Sequence, residues 1–178
     1  MKLITWAIFT SLSVGIVGAA WSQPVSLKTG GSGFRLDLRT EYQNETPFLV
    51  ADIWIEEGSW VVSPFSEDGI YGNFSLTIAD TKVIFAEGPP SEIPESVPEF
   101  DGIVNSPVRF VRGKATYKQK LQVATSDDFE VPGAVWFVLE PSCVPYQIDF
   151  TVAQRAGQIM ILDIKAPVDA RTKRPKGN

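Results

Sequence analysis

A period of two constrains this chain more than any other feature. In "FRLDLRTE", residues 34–41, Phe34, Leu36 and Leu38 fall on one side of an extended chain and Arg35, Asp37 and Arg39 on the other, because successive side chains of a strand point to opposite faces. The pattern recurs in "NFSLTIAD", "GKATYKQKLQV", "YQIDFTV" and "QIMILDIKA". Phe74, Leu76 and Ile78, then Tyr117, Leu121 and Val123, then Ile148, Phe150 and Val152 form the inward sets. "FLVADIWIEEG" and "GAVWFVLE" are apolar on both sides, which marks central strands. The short "WVVSP" follows the first of them, and "NFSLTIAD" turns at Asp80 and Thr81 and returns through "KVIFAEG".

Turn residues break these runs roughly every eight to twelve positions, and no stretch beyond residue 22 sustains a helical period. About nine short strands at that spacing predict an all-β, immunoglobulin-like antiparallel sandwich, with a closed barrel as the rival. "VSLKTGGSG" reads as a flexible lead-in. The stretch 87–107, "EGPPSEIPESVPEFDGIVNSP", lacks a period and is rich in proline. It reads either as a stiff crossover between the sheets or as a functional loop.

The ends of the chain are of a different character. Lys2 precedes an almost uncharged run closing on Ala20-Trp21-Ser22, the build of a secretory signal peptide cut after Ser22, with a retained membrane anchor as the rival that its short length, Thr10, Ser11, Ser13 and Pro24 disfavour. The domain expectation is therefore a signal peptide over residues 1–22, one sandwich over 23–165 and a basic, disordered tail over 166–178. A periplasmic or secreted location follows, with no membrane span in the mature chain.

Charge and composition exclude several functions. A net charge of -5 argues against nucleic acid, whose phosphates require clustered Lys and Arg. The chain has no histidine, which removes Ser-His-Asp hydrolysis, Cys-His proteolysis and His-ligated zinc. No metal or cofactor site is expected. The pairs Glu56-Glu57 and Asp127-Asp128 point to opposite strand faces and read as solvated charges, and Asn73-Phe74-Ser75 is a weak glycosylation motif.

The single cysteine, Cys143, lies between Pro141 and Pro145 in "LEPSCVPYQIDF". It reads either as a small buried hydrophobe or as a reactive thiol. Its neighbour Glu140 opposes reactivity by repelling a thiolate. A lone thiol also permits a disulfide-linked dimer.

Three pieces, "VRFVRGKATYKQKLQV", "FEVPGAVWFVL" and the Cys-Val-Pro-Tyr turn before "QIDF", together resemble the N-terminal periplasmic domain of the thiol-disulfide interchange protein DsbD. The resemblance is best over residues 107–150 and extends weakly back to "EEGSWVVSPFSEDG". It implies an immunoglobulin-like domain that passes reducing equivalents from a membrane-embedded thiol reductase to thioredoxin-like partners, with a short aromatic cap loop over a cysteine pair. Cys143 matches the second cysteine of the pair and Pro145 the first of the following prolines, while Tyr146 stands where a second proline is often found. The first cysteine would fall between Phe137 and Leu139, and no cysteine stands there. One thiol starts an exchange but has no resolving partner within the domain. Phe100 and Asp101 are the nearest cap-loop candidates, Phe100 reading equally as a core anchor. Three readings follow: a protein-binding envelope module without dithiol exchange, a single-thiol redox protein acting through Cys143, or a purely structural envelope module.

Overall fold

The computed structural model describes residues 26–67 and 70–173. The expected signal segment and residues 174–178 lie outside them. The described chain is all-β, with one 3-10 turn at Ala170–Lys173. In chain order the strands are β1 (Leu27–Gly31), β2 (Phe34–Gln43), β3 (Thr46–Ile55), β4 (Val61–Val62), β5 (Ser75–Ile78), β6 (Ile84–Ile93), β7 (Pro98–Asp101), β8 (Ser106–Val111), β9 (Lys114–Val123), β10 (Phe129–Leu139), β11 (Val144–Arg155), β12 (Gln158–Ile164) and β13 (Val168–Asp169).

Two antiparallel sheets form the sandwich, one in the order β1-β2-β3-β9-β6 and the other β12-β11-β10-β5. Their inner faces share one core. Phe34, Leu36 and Leu38 of β2 and Ile53 of β3 meet Val135 and Phe137 of β10 and Ile148 and Phe150 of β11. Aromatic rings lock the layers together: Phe74 stacks on Tyr117 at 4.0 Å, and Phe34 meets Phe137 edge-on at 4.9 Å. Each such buried ring contributes about 2 kcal/mol through area removed from water. β3 and β10, the runs apolar on both faces, are interior strands of their sheets.

Several connections differ from the sequence expectation. "VSLKTGGSG" is not a loose lead-in, since β1 pairs with β2 from Leu27↔Leu38 to Gly31↔Phe34. The turn at Asp80 and Thr81 does not close a hairpin: β5 pairs with β10 and β6 with β9, so the chain changes sheets there. The stretch 87–107 holds most of β6 and all of β7, with a register shift between Glu87 and Ser91 that absorbs Gly88, Pro89 and Pro90. Neither reading of it as an irregular loop survives in full. β7, β8 and β4 make a third, three-stranded sheet in the order β4-β8-β7. Part of the expected tail is also ordered, because β13 pairs with the start of β11 through Tyr146↔Asp169 and Gln147↔Val168.

On the outer face of the first sheet a chain of charges crosses β2, β3 and β9. Asp52, buried, accepts hydrogen bonds from Arg39 and Thr116. Arg39 also grips Glu41 at 2.8 Å, and Lys118 reaches Glu41 at 2.9 Å. Desolvation alone would raise the Asp52 pKa, but the bonds from Thr116 and Arg39 and the Arg39 charge hold it below the usual carboxylate range. Glu41 is lowered in the same way, its desolvation outweighed by Lys118 and Arg39. A folded pKa below the unfolded one stabilises above the unfolded value and loses that contribution as pH falls through the folded value. Asp52→Asn is therefore expected to cost about 1 kcal/mol at pH 7, a figure kept small by partial solvent screening. Urea midpoints compared at pH 7 and below pH ~3 should show the difference between the two proteins shrinking at the acid end.

Candidate functional site

Cys143 ends a four-residue hairpin loop. β10 and β11 are in register down to Leu139↔Val144, leaving Glu140, Pro141, Ser142 and Cys143 to reverse the chain. The Glu140-Pro141 peptide is cis and Cys143 takes a left-handed backbone, φ 51°, a conformation uncommon outside glycine, asparagine and aspartate. Ser142 Oγ donates to the Leu139 carbonyl at 3.0 Å.

Glu140 controls this loop. Its N–H and C=O are both paired with Trp60, at 2.9 and 3.0 Å, as an isolated bridge from the residue before β4. The buried side chain then turns its carboxylate into the loop. Glu140 Oε2 accepts from the Cys143 N–H at 3.2 Å and from the Cys143 S–H at 3.1 Å. One carboxylate oxygen thus fixes both the backbone and the sulfur of the cysteine.

The sulfur is exposed, so burial does not suppress its chemistry. Protonation does. The hydrogen bond to Glu140 and then its negative charge raise the thiol pKa, and Arg171 opposes them only in part. A reactive cysteine has the reverse arrangement, with a cation or helix N-terminus lowering its pKa. The charge effect of Glu140 is readable from the sequence, whereas the direct S–H bond and the anchoring through Trp60 arise from tertiary pairing. Arg171 lies in the expected tail. It is placed by a fork onto Asp169, Nε to Oδ1 at 2.9 Å and Nη2 to Oδ2 at 2.5 Å, and Asp169 is carried by β13 next to Tyr146.

Pro145 and Tyr146 belong to the same hairpin, opposite Val138 and Phe137. Tyr146 packs its ring on Phe34 at 4.8 Å and on Phe137 at 5.8 Å, so it closes the end of the core beside the turn.

Phe100 and Asp101 are on β7, across the small sheet from Trp60, which is bonded to Glu140. β8 intervenes between β4 and β7, a spacing of about 10 Å for two strand steps. Phe100 is 71% exposed, which overturns its reading as a core anchor. Asp101 serves the hairpin itself. It accepts from the N–H groups of Ile103 (2.7 Å) and Val104 (3.2 Å) and from the Tyr71 hydroxyl (3.1 Å). Desolvation pulls its pKa up, but those bonds leave it below the usual range.

Under this hairpin lies a carboxylate that the sequence does not mark as special. Glu92, near the end of β6, is 8% exposed. Its Oε1 accepts from the Tyr117 hydroxyl at 2.9 Å, and its Oε2 from Ser63 Oγ at 3.2 Å, Ser96 N at 2.9 Å and Ser96 Oγ at 2.6 Å. Desolvation, then the charge and hydrogen bond of Glu92, push the Tyr117 phenol far above its ordinary range and keep it a neutral donor. Arg109 of β8 also donates to the Ser96 carbonyl. The proline-rich stretch is thus tied to the core at Ser96 and to its own hairpin at Asp101.

Asn73 is likewise engaged, its Nδ2 donating to the Ser66 carbonyl at 2.8 Å, so the glycosylation motif presents a side chain already in use. Among the described residues no helix is long and apolar enough to cross a membrane, and no three acidic or cysteine side chains gather to hold a metal. No family model, curated protein or solved structure matches the chain.

Proposed function

We propose that this is a protein-binding module of the cell envelope, related to the DsbD N-terminal domain, that docks through the β7–β8 hairpin and does not carry out dithiol exchange. The supporting observation is the pairing of exposure with rigidity there. Val97, Phe100 and Ile103 are 72%, 71% and 86% exposed, yet the segment bearing them is fixed by Glu92 and Asp101. Large apolar side chains grouped in a preorganised segment mark interaction surfaces, because little ordering entropy remains to be lost on binding. A thioredoxin-like protein or a membrane-embedded thiol reductase is the partner class that the resemblance suggests.

A single-thiol role is the second reading, favoured by the exposure of Cys143. Capture from an envelope extract, analysed without reductant, separates the readings. The docking reading expects the same proteins on the wild-type chain and on Cys143→Ser, and their loss on Phe100→Asp. An adduct that disappears with reductant and with Cys143→Ser overturns it in favour of thiol exchange. Failure to retain any protein leaves only the structural-module reading.

A further inference from the structure

Independently of the docking reading, we infer that Thr40 and Tyr42 strap the edge of β12 shut and so keep this chain from pairing with a second copy of itself. Among the described residues β12 ends its sheet and has β11 as its ladder partner on one side only. An edge strand presents its outward N–H and C=O groups to any further strand.

The ladder decides which groups those are. Ala156 and Gly157, both at positive φ, make the two-residue turn between β11 and β12. In such a hairpin the closing pair, Arg155↔Gln158, exchanges both backbone bonds, so the next pair, Gln154↔Ile159, turns its N–H and C=O groups away from the partner strand. Both outward groups of Ile159 are nonetheless taken. Its N–H donates to the Tyr42 hydroxyl at 2.7 Å, and its C=O accepts from the Thr40 hydroxyl at 2.9 Å. The two hydroxyls come from β2 in the opposite sheet, two residues apart and therefore on one face of that strand. They stand where β1 gives out, since among the described residues β1 pairs no further along β2 than Leu38.

The composition of β12 makes this closure matter. Ile159–Leu162, "IMIL", is an uncharged apolar run, the kind of segment that pairs with identical copies of itself when its backbone is free. Beyond the run the edge is guarded differently: the register shifts at Thr151/Val152, and exposed Asp163 follows. A bulge and a charge both discourage a further strand. At Ile159 the two hydroxyls take that role. Tyr42 is 48% exposed although Leu36 and Leu38, on the same face of β2, are fully buried, so its hydroxyl and not core packing ties it to the opposite sheet.

The test is sedimentation velocity on the chain without residues 1–22, the expected mature form, and on its Thr40→Val/Tyr42→Phe variant, which strips the Ile159 N–H and C=O of their partners. At about 100 μM the wild type is expected to sediment as one copy and the variant as dimers and larger species. At low concentration, where the variant is a single copy, its Ile159 amide should exchange about tenfold faster than in the wild type. Two controls separate an opened edge from lost stability. Val135→Ala truncates a fully buried core residue and keeps both hydroxyls, and it should remain a single copy. Leu162→Lys, at an exposed position, should return the double variant to a single copy, because a lysine on an edge strand opposes pairing. A self-associating wild type, a double variant that stays single, equal association of Val135→Ala, an unchanged Ile159 exchange rate or no rescue by Leu162→Lys would each overturn the strap.

Discussion

Replacing Glu92 with alanine is expected to lower folding stability by about 4 kcal/mol, among the largest single-site losses in this chain. The carboxylate collects four hydrogen bonds from Tyr117, Ser63 and both the backbone and side chain of Ser96. Tyr117 is fully buried and Ser63 is 0% exposed, so their hydroxyls would be left without an acceptor or with a poorly placed one. An orphaned buried donor costs about 1–3 kcal/mol. Glu92→Gln should lose less, because an amide nitrogen in the place of Oε1 can donate to a rotated Tyr117 hydroxyl while the remaining oxygen, in the place of Oε2, keeps Ser63 and Ser96 as donors. Denaturant unfolding of the two variants checks the ranking. Hydrogen exchange should show faster exchange at Ser96 in Glu92→Ala, since that residue loses its acceptor. Equal stabilities for Glu92→Ala and the wild type would mean that the proline-rich stretch is not held from the core.

The second large effect is steric. Gly133 lies opposite Phe150 in the β10–β11 ladder, and a methyl group there would stand 2.4 Å from two atoms of the Phe150 ring and 2.9 Å from the Thr77 carbonyl oxygen. The ring is 2% exposed and packed against the other sheet, so it has no free direction in which to retreat. Gly133→Ala is expected to cost about 3 kcal/mol, at the upper end of overpacking penalties. Much of the strain comes from the ring. In a Phe150→Leu background the same alanine should cost less, the approach to the Thr77 carbonyl remaining, a non-additivity that a double-mutant cycle measures directly. Additive losses would place the strain elsewhere.

The residues behind these two effects differ in how visible they are in the sequence. The period-two runs announce β2, β9 and β11, because one buried face per strand leaves its alternation in the sequence, and the runs apolar on both sides announce β3 and β10. β7 and the second half of β6 leave no such trace. Pro89 and Pro90 sit in a register shift and Pro98 begins an edge strand, positions where a missing N–H costs no ladder bond, so proline hides strands it does not break. The change of sheets at Asp80 is equally silent, since a hairpin and a crossover use the same turn residues. At the cysteine, the proximity of Glu140 and its repulsion of a thiolate are legible. The left-handed backbone of Cys143, the S–H bond to the carboxylate and the approach of Arg171 depend on Trp60 and β13, which are remote in sequence. Glu92 looks like one more acid in a polar loop until Tyr117 is set opposite it on β9.

That Glu140 holds Cys143 as a protonated thiol is tested most directly by the pH dependence of its alkylation. The exposed sulfur admits iodoacetamide, and the rate follows the thiolate fraction. In the wild type the inflection should lie above the ordinary cysteine range, because the Glu140 hydrogen bond and charge favour the thiol. The same raised pKa adds stability that is present below the unfolded thiol's pKa and is lost as pH rises through the folded one. Glu140→Gln removes the charge while keeping the shape, and should move the inflection down toward the ordinary range and speed alkylation several-fold at pH ~8. An inflection at or below the ordinary range in the wild type, or an unchanged profile in Glu140→Gln, would contradict the account.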